Sequence, residues 1–175
     1  AANPSFCSQN GVLFNKAKTD LITYPGGMEG EKYSVPSGVT RILLKAFSEN
    51  WNLKEVLLPK SVSKIERYAF KNTNLTDVTI LNPQCVIGNG SDEEESYYDE
   101  VFSSGVKIHG YEGSTAQAYA EKYGIPFEVI TEEICEHEYK GVVTTPSTCT
   151  QKGMKTFTCS KCGDSYTEEL PLAAH

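Results

Sequence analysis

The sequence predicts a mainly β protein with short helices, built as a solenoid of stacked repeats with a capping helix and followed by a small β-rich module that contains Cys and His residues. Short apolar runs recur every 22–23 residues through the first 130 residues. A helical pattern follows the last repeat, and four of the six cysteines lie after residue 134. These three observations predict two domains, at residues 1–130 and 134–175.

The repeat emerges when the chain is aligned with itself at a shift of 22–23 residues. Matches at an offset of 23 are Pro36 and Pro59, Val39 and Val62, Ile42 and Ile65, Ala46 and Ala69, and Phe47 and Phe70. Matches at an offset of 22 are Asn52 and Asn74, Leu53 and Leu75, and Val56 and Val78. In a third copy the aromatic residue, Phe102, follows Phe70 by 32 residues, because an acidic stretch at residues 91–100 lengthens this copy.

A period of this length lies within the 20–29 residues of leucine-rich repeats, in which each copy supplies one short strand and a return segment. Residues 56–58 and 78–80 are β-prone runs whose outer members point to one face. Pro59 directly follows such a run and ends the strand where no ladder donor is needed. Because one coil cannot bury its apolar side alone, we expect a right-handed solenoid in which residues 56–58 lie beside 78–80 and Phe47 and Phe70 share one core.

Residues 114–124 predict a helix that covers the end of the solenoid, where an open end would expose core and strand edge. Ser114 is the predicted N-cap, and Gly124 with Pro126 ends the helix. The apolar stripe consists of Ala116, Tyr119, Ala120 and Tyr123. Residues 127–130 predict a last strand, and the alternative role for the helix is to bind a partner.

Residues 11–16, 21–25 and 109–116, together with the Val-Pro-x-x-Val-x-x-Ile and Ala-Phe repeats between them, resemble BspA-type leucine-rich-repeat surface proteins of bacteria. The resemblance covers roughly residues 10–130. It departs where Ile-Gly usually precedes Ala-Phe, since this chain has Leu43 and Glu66 in place of the glycine, and it departs again at the acidic insertion. The resemblance implies a secreted or cell-surface protein that takes part in adhesion or binds host or matrix proteins.

The segment after residue 134 predicts a small module that needs a cross-link, because a domain of about 40 residues cannot be stable through its core alone. Residues 155–158 and 165–169 alternate polar and apolar side chains and predict two strands joined by a Cys-x-x-Cys-Gly turn. Such a turn places Cys159 and Cys162 near one point, about 2.3 Å from a Zn²⁺ ion, and His137 and Cys149 are able to complete a tetrahedron.

This tail also resembles a small module found at the ends of many secreted bacterial proteins. The resemblance favours one set of structural Zn²⁺ ligands, namely His137, Cys149, Cys159 and Cys162, with Cys135 or His175 as substitutes. Disulfides such as Cys135–Cys149 or Cys149–Cys159 are the alternative in an oxidising compartment. A redox role for the Cys-x-x-Cys pair is disfavoured, since its flanks predict a hairpin and not a helix start.

Composition excludes several classes of function. The net charge of −7 disfavours nucleic-acid binding, and no run approaches the roughly 20 apolar residues that a membrane helix needs. The chain contains no His-Glu-x-x-His, Gly-x-Ser-x-Gly or phosphate-loop motif. A Cys85–His109 nucleophile pair is conceivable, but Cys85 sits at a repeat position that predicts a buried small hydrophobe. The acidic stretch predicts a solvated loop, with a Ca²⁺ site as the alternative.

The sequence therefore predicts a protein without catalytic residues or bound organic cofactor, which recognises a protein or glycan partner through its repeats or its acidic loop. The alternative is a structural spacer, or the terminal cap of a longer repeat array. The chain opens on residues 1–5 without a basic-then-apolar leader pattern, so we expect either a processed leader or a piece of a longer protein.

Overall fold

The computed structural model describes residues 3–88, 100–131, 138–161 and 165–173. The chain divides into two compact units, residues 1–132 and 133–175. In the first unit the elements are β1 (Phe6–Gln9), β2 (Val12–Asn15), β3 (Asp20–Thr23), β4 (Lys32–Ser34), β5 (Arg41–Ile42), β6 (Glu55–Leu58), β7 (Lys64–Ile65), β8 (Asp77–Ile80), β9 (Val86–Ile87), β10 (Lys107–Gly110), α1 (Thr115–Tyr123) and β11 (Phe127–Val129). The second unit contains β12 (Tyr139–Thr145), β13 (Gly153–Cys159) and β14 (Ser165–Leu170).

The first unit is a solenoid with two sheets. Sheet 1 has the order β1-β2-β3-β5-β7-β9 and begins with an antiparallel meander before its strands become parallel. Sheet 2 has the order β4-β6-β8-β10-β11 and is parallel throughout. Val56 lies opposite Val78, which confirms the predicted stacking of residues 56–58 beside 78–80. The prediction of a mainly β solenoid is confirmed.

Sheet 1 contributes two-residue parallel strands that the sequence did not predict. Ile42 and Ile65 face each other across β5 and β7, and both side chains are fully buried. Each pair of residues is too short to show a strand period, so the sequence presents them only as repeated core positions. The consequence is that every coil is held by two ladders, one on each side of the core.

An aromatic column runs through the core along the solenoid. Phe47 and Phe70 stack with ring centroids 4.6 Å apart, and Phe70 and Phe102 stack at 5.3 Å. Tyr24 extends the column on the N-terminal side, 5.2 Å from Phe47. Phe70 also forms a parallel bridge with Phe102. The 32-residue spacing in the third copy therefore leaves the stacking register intact.

Helix α1 closes the C-terminal end of the column, as predicted. The Ser114 hydroxyl accepts a hydrogen bond from the Gln117 amide, and Gly124 adopts the left-handed conformation that ends the helix. Tyr119 meets Phe102 edge-on at 5.9 Å, and its hydroxyl accepts a hydrogen bond from the Val101 amide. Strand β11 then adds a parallel edge to sheet 2, which confirms the predicted last strand.

The second unit is a three-stranded antiparallel sheet with the order β12-β13-β14. The predicted strand segments 155–158 and 165–169 lie within β13 and β14, whereas β12 was not predicted. Strand β12 carries Gly141 opposite Phe157, and a Cβ atom at residue 141 would lie 2.6 Å from that ring. The Phe157 ring thus lies over residue 141, where a side chain larger than that of glycine would clash.

Candidate functional site

The outward face of sheet 2 gathers polar and charged side chains into two rows. Side chains alternate between the two faces of a strand, so residues in register form rows across the sheet. The first row contains Lys32, Glu55, Asp77 and Lys107, and the second contains Ser34, Leu57, Thr79, His109 and Glu128. The inward row between them contains Tyr33, Val56, Val78, Ile108 and Phe127.

These rows line a shallow groove of about 390 Å³, which we call the strand groove. It is lined by Lys32, Tyr33, Ser34, Glu55, Val56, Leu57, Asp77, Thr79 and His109. Leu57 and Thr79 are half-buried and face each other in the second row. The groove thus combines an apolar side chain with charges of both signs.

His109 lies between two carboxylates at one end of the strand groove. Its Nε2 atom is 2.8 Å from Asp77 Oδ1, and its Nδ1 atom is 3.9 Å from Glu128 Oε2. The hydrogen bond from His109, followed by one from the Thr76 hydroxyl, holds the pKa of Asp77 below its ordinary value. Asp77 is therefore an anion over the whole neutral range.

The other end of the groove carries an ion pair. Lys32 Nζ lies 2.8 Å from Glu55 Oε2, and this hydrogen bond raises the pKa of Lys32. Glu55 is also in register with Asp77 on the next strand, and neighbouring strands are about 4.8 Å apart. Like charges directly opposite destabilise a sheet, so Lys32 and His109 compensate the two carboxylates from opposite sides.

The sequence did not predict the strand groove. Glu55 and Asp77 occupy the same repeat position at an offset of 22, so the repeat could have predicted that they are neighbours. The repeat could not have predicted His109 as the next neighbour, because the lengthened third copy separates it from Asp77 by 32 residues. A contact between them follows only from the sheet register.

Cys85 and His109 do not form a nucleophile pair. Cys85 is fully buried, and desolvation raises the pKa of its thiol to about 12. A thiol with this pKa stays protonated at neutral pH, and the thiolate is the nucleophile. The expectation that Cys85 is a buried core residue is thus confirmed.

The structure does not bring Cys149 and Cys159 together, although the predicted metal site requires both. Cys159 ends β13, whereas Cys149 lies in the connection before Gly153 begins that strand. Six residue steps at about 3.3 Å each separate Gly153 from Cys159 by about 20 Å. A Cβ atom at Gly153 would lie 2.6 Å from the Ser147 amide nitrogen, so the connection stays at the Gly153 end.

Several predicted residues lie outside the part of the chain that the structure describes. They are His137 and Cys162, the substitutes Cys135 and His175, and most of the acidic stretch, residues 91–99. Within the described ranges, no group of three or more His, Cys, Asp or Glu side chains is placed to hold a metal ion. Nor does any helix among these residues have the length and apolar character to cross a membrane.

Residues 27–105 match the BspA type leucine rich repeat region, in six copies. No protein among the curated sequences matches the chain. Three solved structures are similar to this chain at low sequence identity. A leucine-rich repeat protein from Eubacterium ventriosum ATCC 27560 is 24% identical, with a TM-score of 0.46, over 61% of this chain and 27% of that chain. The pneumococcal vaccine antigen PcpA is 20% identical, with a TM-score of 0.37, over 74% of this chain and 48% of that chain, and a leucine rich cell surface protein from Faecalibacterium prausnitzii A2-165 is 20% identical, with a TM-score of 0.48, over 74% and 41%.

The chain spans 27–48% of the length of these three proteins. The repeat match agrees with the fold and does not depend on these three structures. Its range contains the three aligned copies, the strands of sheet 2 as far as β8, and the aromatic column from Phe47 to Phe102. Residues 27–105 of this chain are therefore a BspA-type leucine-rich-repeat region, since the family match and the stacked parallel strands agree over this range.

Proposed function

We propose that this chain is a non-enzymatic protein of the bacterial cell surface or secreted fraction, and that it binds a protein partner in the strand groove. The observation that carries this proposal is the groove itself, where Leu57 and Thr79 lie between charged pairs at both ends. A half-buried apolar centre with a charged rim is the usual composition of a protein–protein interface. The repeat type and its surface relatives support the location.

A polypeptide fits the groove better than a glycan does. The single aromatic side chain of the lining, Tyr33, has its ring 4.7 Å from Tyr24 and 5.9 Å from Phe47. Burial accordingly raises the pKa of Tyr33. Because this ring packs in the core, it cannot stack on a sugar. The exposed charges of the groove, in contrast, can pair with charged side chains of a protein partner.

The His109–Asp77 pair supports binding and not catalysis. A catalytic histidine uses one ring nitrogen for an orienting carboxylate and the other for the reacting group. In this groove both ring nitrogens face carboxylates, Asp77 at 2.8 Å and Glu128 at 3.9 Å. The side chain nearest to Nδ1 is thus a carboxylate, and not a hydroxyl or thiol that the ring could activate as a nucleophile.

Surface plasmon resonance against immobilised extracellular-matrix proteins and a glycan panel tests the proposal, with Leu57→Arg and Val86→Arg compared side by side. Leu57 is central to the groove, and Val86 is an exposed valine on the outward face of sheet 1. We expect the wild type to bind at least one protein, Leu57→Arg to weaken binding more than tenfold, and Val86→Arg to leave it unchanged.

Equal losses in both variants, or binding to glycans alone, would contradict the proposal. Binding to neither panel would support the alternative, in which the chain is a structural spacer or the terminal cap of a longer array.

A further inference from the structure

Strand β4 is an open edge of sheet 2, and it lies beside the strand groove. Sheet 1 continues past β3 with β2 and β1, whereas sheet 2 ends at β4 within the described part of the chain. All three residues of β4 line the groove, and no residue of β11, the outer strand at the opposite edge, does so. A strand that joined sheet 2 at β4 would therefore extend the floor of the groove.

The backbone groups of β4 point alternately toward β6 and toward the open edge. The Glu31 carbonyl, just before β4, accepts a hydrogen bond from β6, and the Val35 amide, just after β4, donates one to β6. Because this direction alternates along paired strands, Tyr33 faces β6 as well, whereas Lys32 and Ser34 face the open edge. None of the hydrogen bonds among the described residues involves the amide or carbonyl group of Lys32 or Ser34.

This edge is accessible to solvent. Lys32 and Ser34 are exposed, and the Lys32 side chain is 72% accessible. Gly30, two residues before β4, has no heavy atom beyond its chain neighbours within 4 Å of the position that a Cβ atom would take. Accessible amide and carbonyl groups on an edge strand are the template to which a second polypeptide adds by hydrogen bonding, and its alternate side chains then give specificity.

We infer that an extended segment of the protein partner adds to sheet 2 as a strand beside β4. This inference rests on the proposed function and specifies how the groove holds its partner. The amides and carbonyls of Lys32 and Ser34 form the hydrogen bonds to the added strand. Its outward side chains extend the two polar rows of the groove by one position, and its inward side chains extend the row that contains Tyr33 and Val56.

The side chains of β4 define the sequence that fits beside them. Lys32 Nζ lies 2.8 Å from Glu55 Oε2 on its β6 side, and an ammonium group has three donors, so a carboxylate on the added strand can pair with it from the edge side. Tyr33 is half-buried against the core and favours an apolar side chain next to it. A lysine on the edge also disfavours basic strands. The partner segment therefore carries an acidic residue followed or preceded by an apolar one.

Ser34→Pro and Ser34→Ala separate the backbone of the edge from its side chain. Proline removes the N–H group that faces the edge and no hydrogen bond to β6, whereas alanine keeps the N–H group and removes only the hydroxyl. The probe is an immobilised library of seven-residue extended peptides, with binding of the full-length chain measured by surface plasmon resonance. We expect Ser34→Ala to bind like the wild type and Ser34→Pro to bind at least tenfold more weakly, with circular dichroism as the check that both variants fold.

Two further readouts leave Ser34 unchanged. N-methylation of one alternate set of amides in the best-binding peptide should abolish binding to the wild type, whereas methylation of the other set should not. The wild type should select peptides with an acidic residue, and Lys32→Glu should select peptides with a basic residue at the same position. By NMR, the Lys32 and Ser34 amides should exchange with solvent in the free chain and become protected on peptide binding, while the Tyr33 amide is protected in both states.

The outcomes separate this inference from the proposed function. Equal binding by Ser34→Pro and Ser34→Ala, or binding of a matrix protein but of no peptide, would overturn the inference and leave the groove as the binding site. Binding to no matrix protein and no peptide would contradict both. Protection of the Lys32 and Ser34 amides that rises with protein concentration, without peptide, would assign the edge to a second copy of the chain and would also overturn the inference.

Discussion

At the scale of single residues, the groove is organised by His109. Its ring donates to Asp77 across neighbouring strands, and Asp77 is also opposite Glu55 on the other side. The carboxylates of Glu55 and Asp77 repel each other, and this repulsion opposes the pairing of β6 and β8. The hydrogen bond from His109 stabilises the Asp77 carboxylate and so offsets part of that repulsion.

His109→Phe should raise the pKa of Asp77 toward its ordinary value, because the largest cause of the depression is the hydrogen bond from His109. A folded-state pKa below the unfolded value means that Asp77 stabilises the fold above the ordinary pKa of about 4, and that this contribution is lost as the pH falls through the folded-state pKa. The wild type should thus lose more stability than the variant below pH of about 4.

Carbon-detected NMR titration of the Asp77 carboxyl group measures the change, with Lys152→Met in the second unit as the control. An unchanged Asp77 pKa in His109→Phe would contradict the prediction, since the lowered pKa would then be due to Thr76 and the charge of Lys107.

At the scale of elements, the aromatic column joins the coils to the cap. It passes from Phe47 through Phe70 and Phe102 to Tyr119 on α1, with each ring in contact with the next. Each coil supplies one ring, so no coil completes its own core. The two ladders on either side of the column then fix the distance between successive rings.

Phe70→Ala should destabilise the repeat unit by about 3–5 kcal/mol, because it removes a fully buried ring from the middle of the column. Trp51→Ala is the matched aromatic control. Trp51 is 55% exposed, and its truncation should cost less than about 0.5 kcal/mol. Denaturant unfolding followed by circular dichroism gives both values, and similar costs for the two variants would show that the column does not stabilise the solenoid.

How far the sequence could predict these elements depends on whether their signal is local. The 22–23-residue period predicts β6, β8 and the stack of Phe47 on Phe70, since matching apolar residues at a fixed offset are visible in one chain. Strand β12 has no alternating apolar face, since it reads Tyr-Lys-Gly-Val-Val-Thr-Thr and Gly141 places no side chain opposite Phe157. Left-handed backbone at Lys45 and Tyr68 was equally hidden, as neither residue is glycine.

Candidate sites divide in the same way. Cys-x-x-Cys is a local pattern, and it predicts a turn between β13 and β14. Which Cys and His side chains would join this pair stays a prediction, because His137 and Cys162 lie outside the described residues and the spacing of Cys149 does not tell which end of β13 it occupies. The His109–Asp77 contact also depends on register across the lengthened copy.

At the scale of the whole molecule, the two units differ in how they are stabilised. The repeat unit has a continuous core that runs from Val12 to Ala120. The second unit has an exposed sheet with Cys159 buried at one end. The first unit should therefore keep its structure under conditions that would remove a metal or disulfide cross-link from the second, the cross-link that the sequence predicts.

Treatment of the full-length chain with a chelator and a reductant should accelerate hydrogen exchange in β12, β13 and β14 and leave exchange in β6 and β8 unchanged. The reason is that the treatment would remove either of the two predicted cross-links, zinc or disulfide, whereas β6 and β8 are held by the hydrophobic core. Hydrogen-exchange mass spectrometry gives the result for each strand. The denaturation midpoint reported by Trp51 fluorescence should also stay constant, and a concerted loss of protection in both units would contradict the prediction.

The parallel bridge between Phe70 and Phe102 has a practical consequence for protein engineering. Since the third copy accommodates additional chain between Ile87 and Phe102 and still places its ring in the column, the corresponding turns at residues 43–45 and 66–68 are natural insertion points for foreign peptides. The chain thus offers a scaffold on which several epitopes could be displayed at successive coils, spaced by the width of one strand.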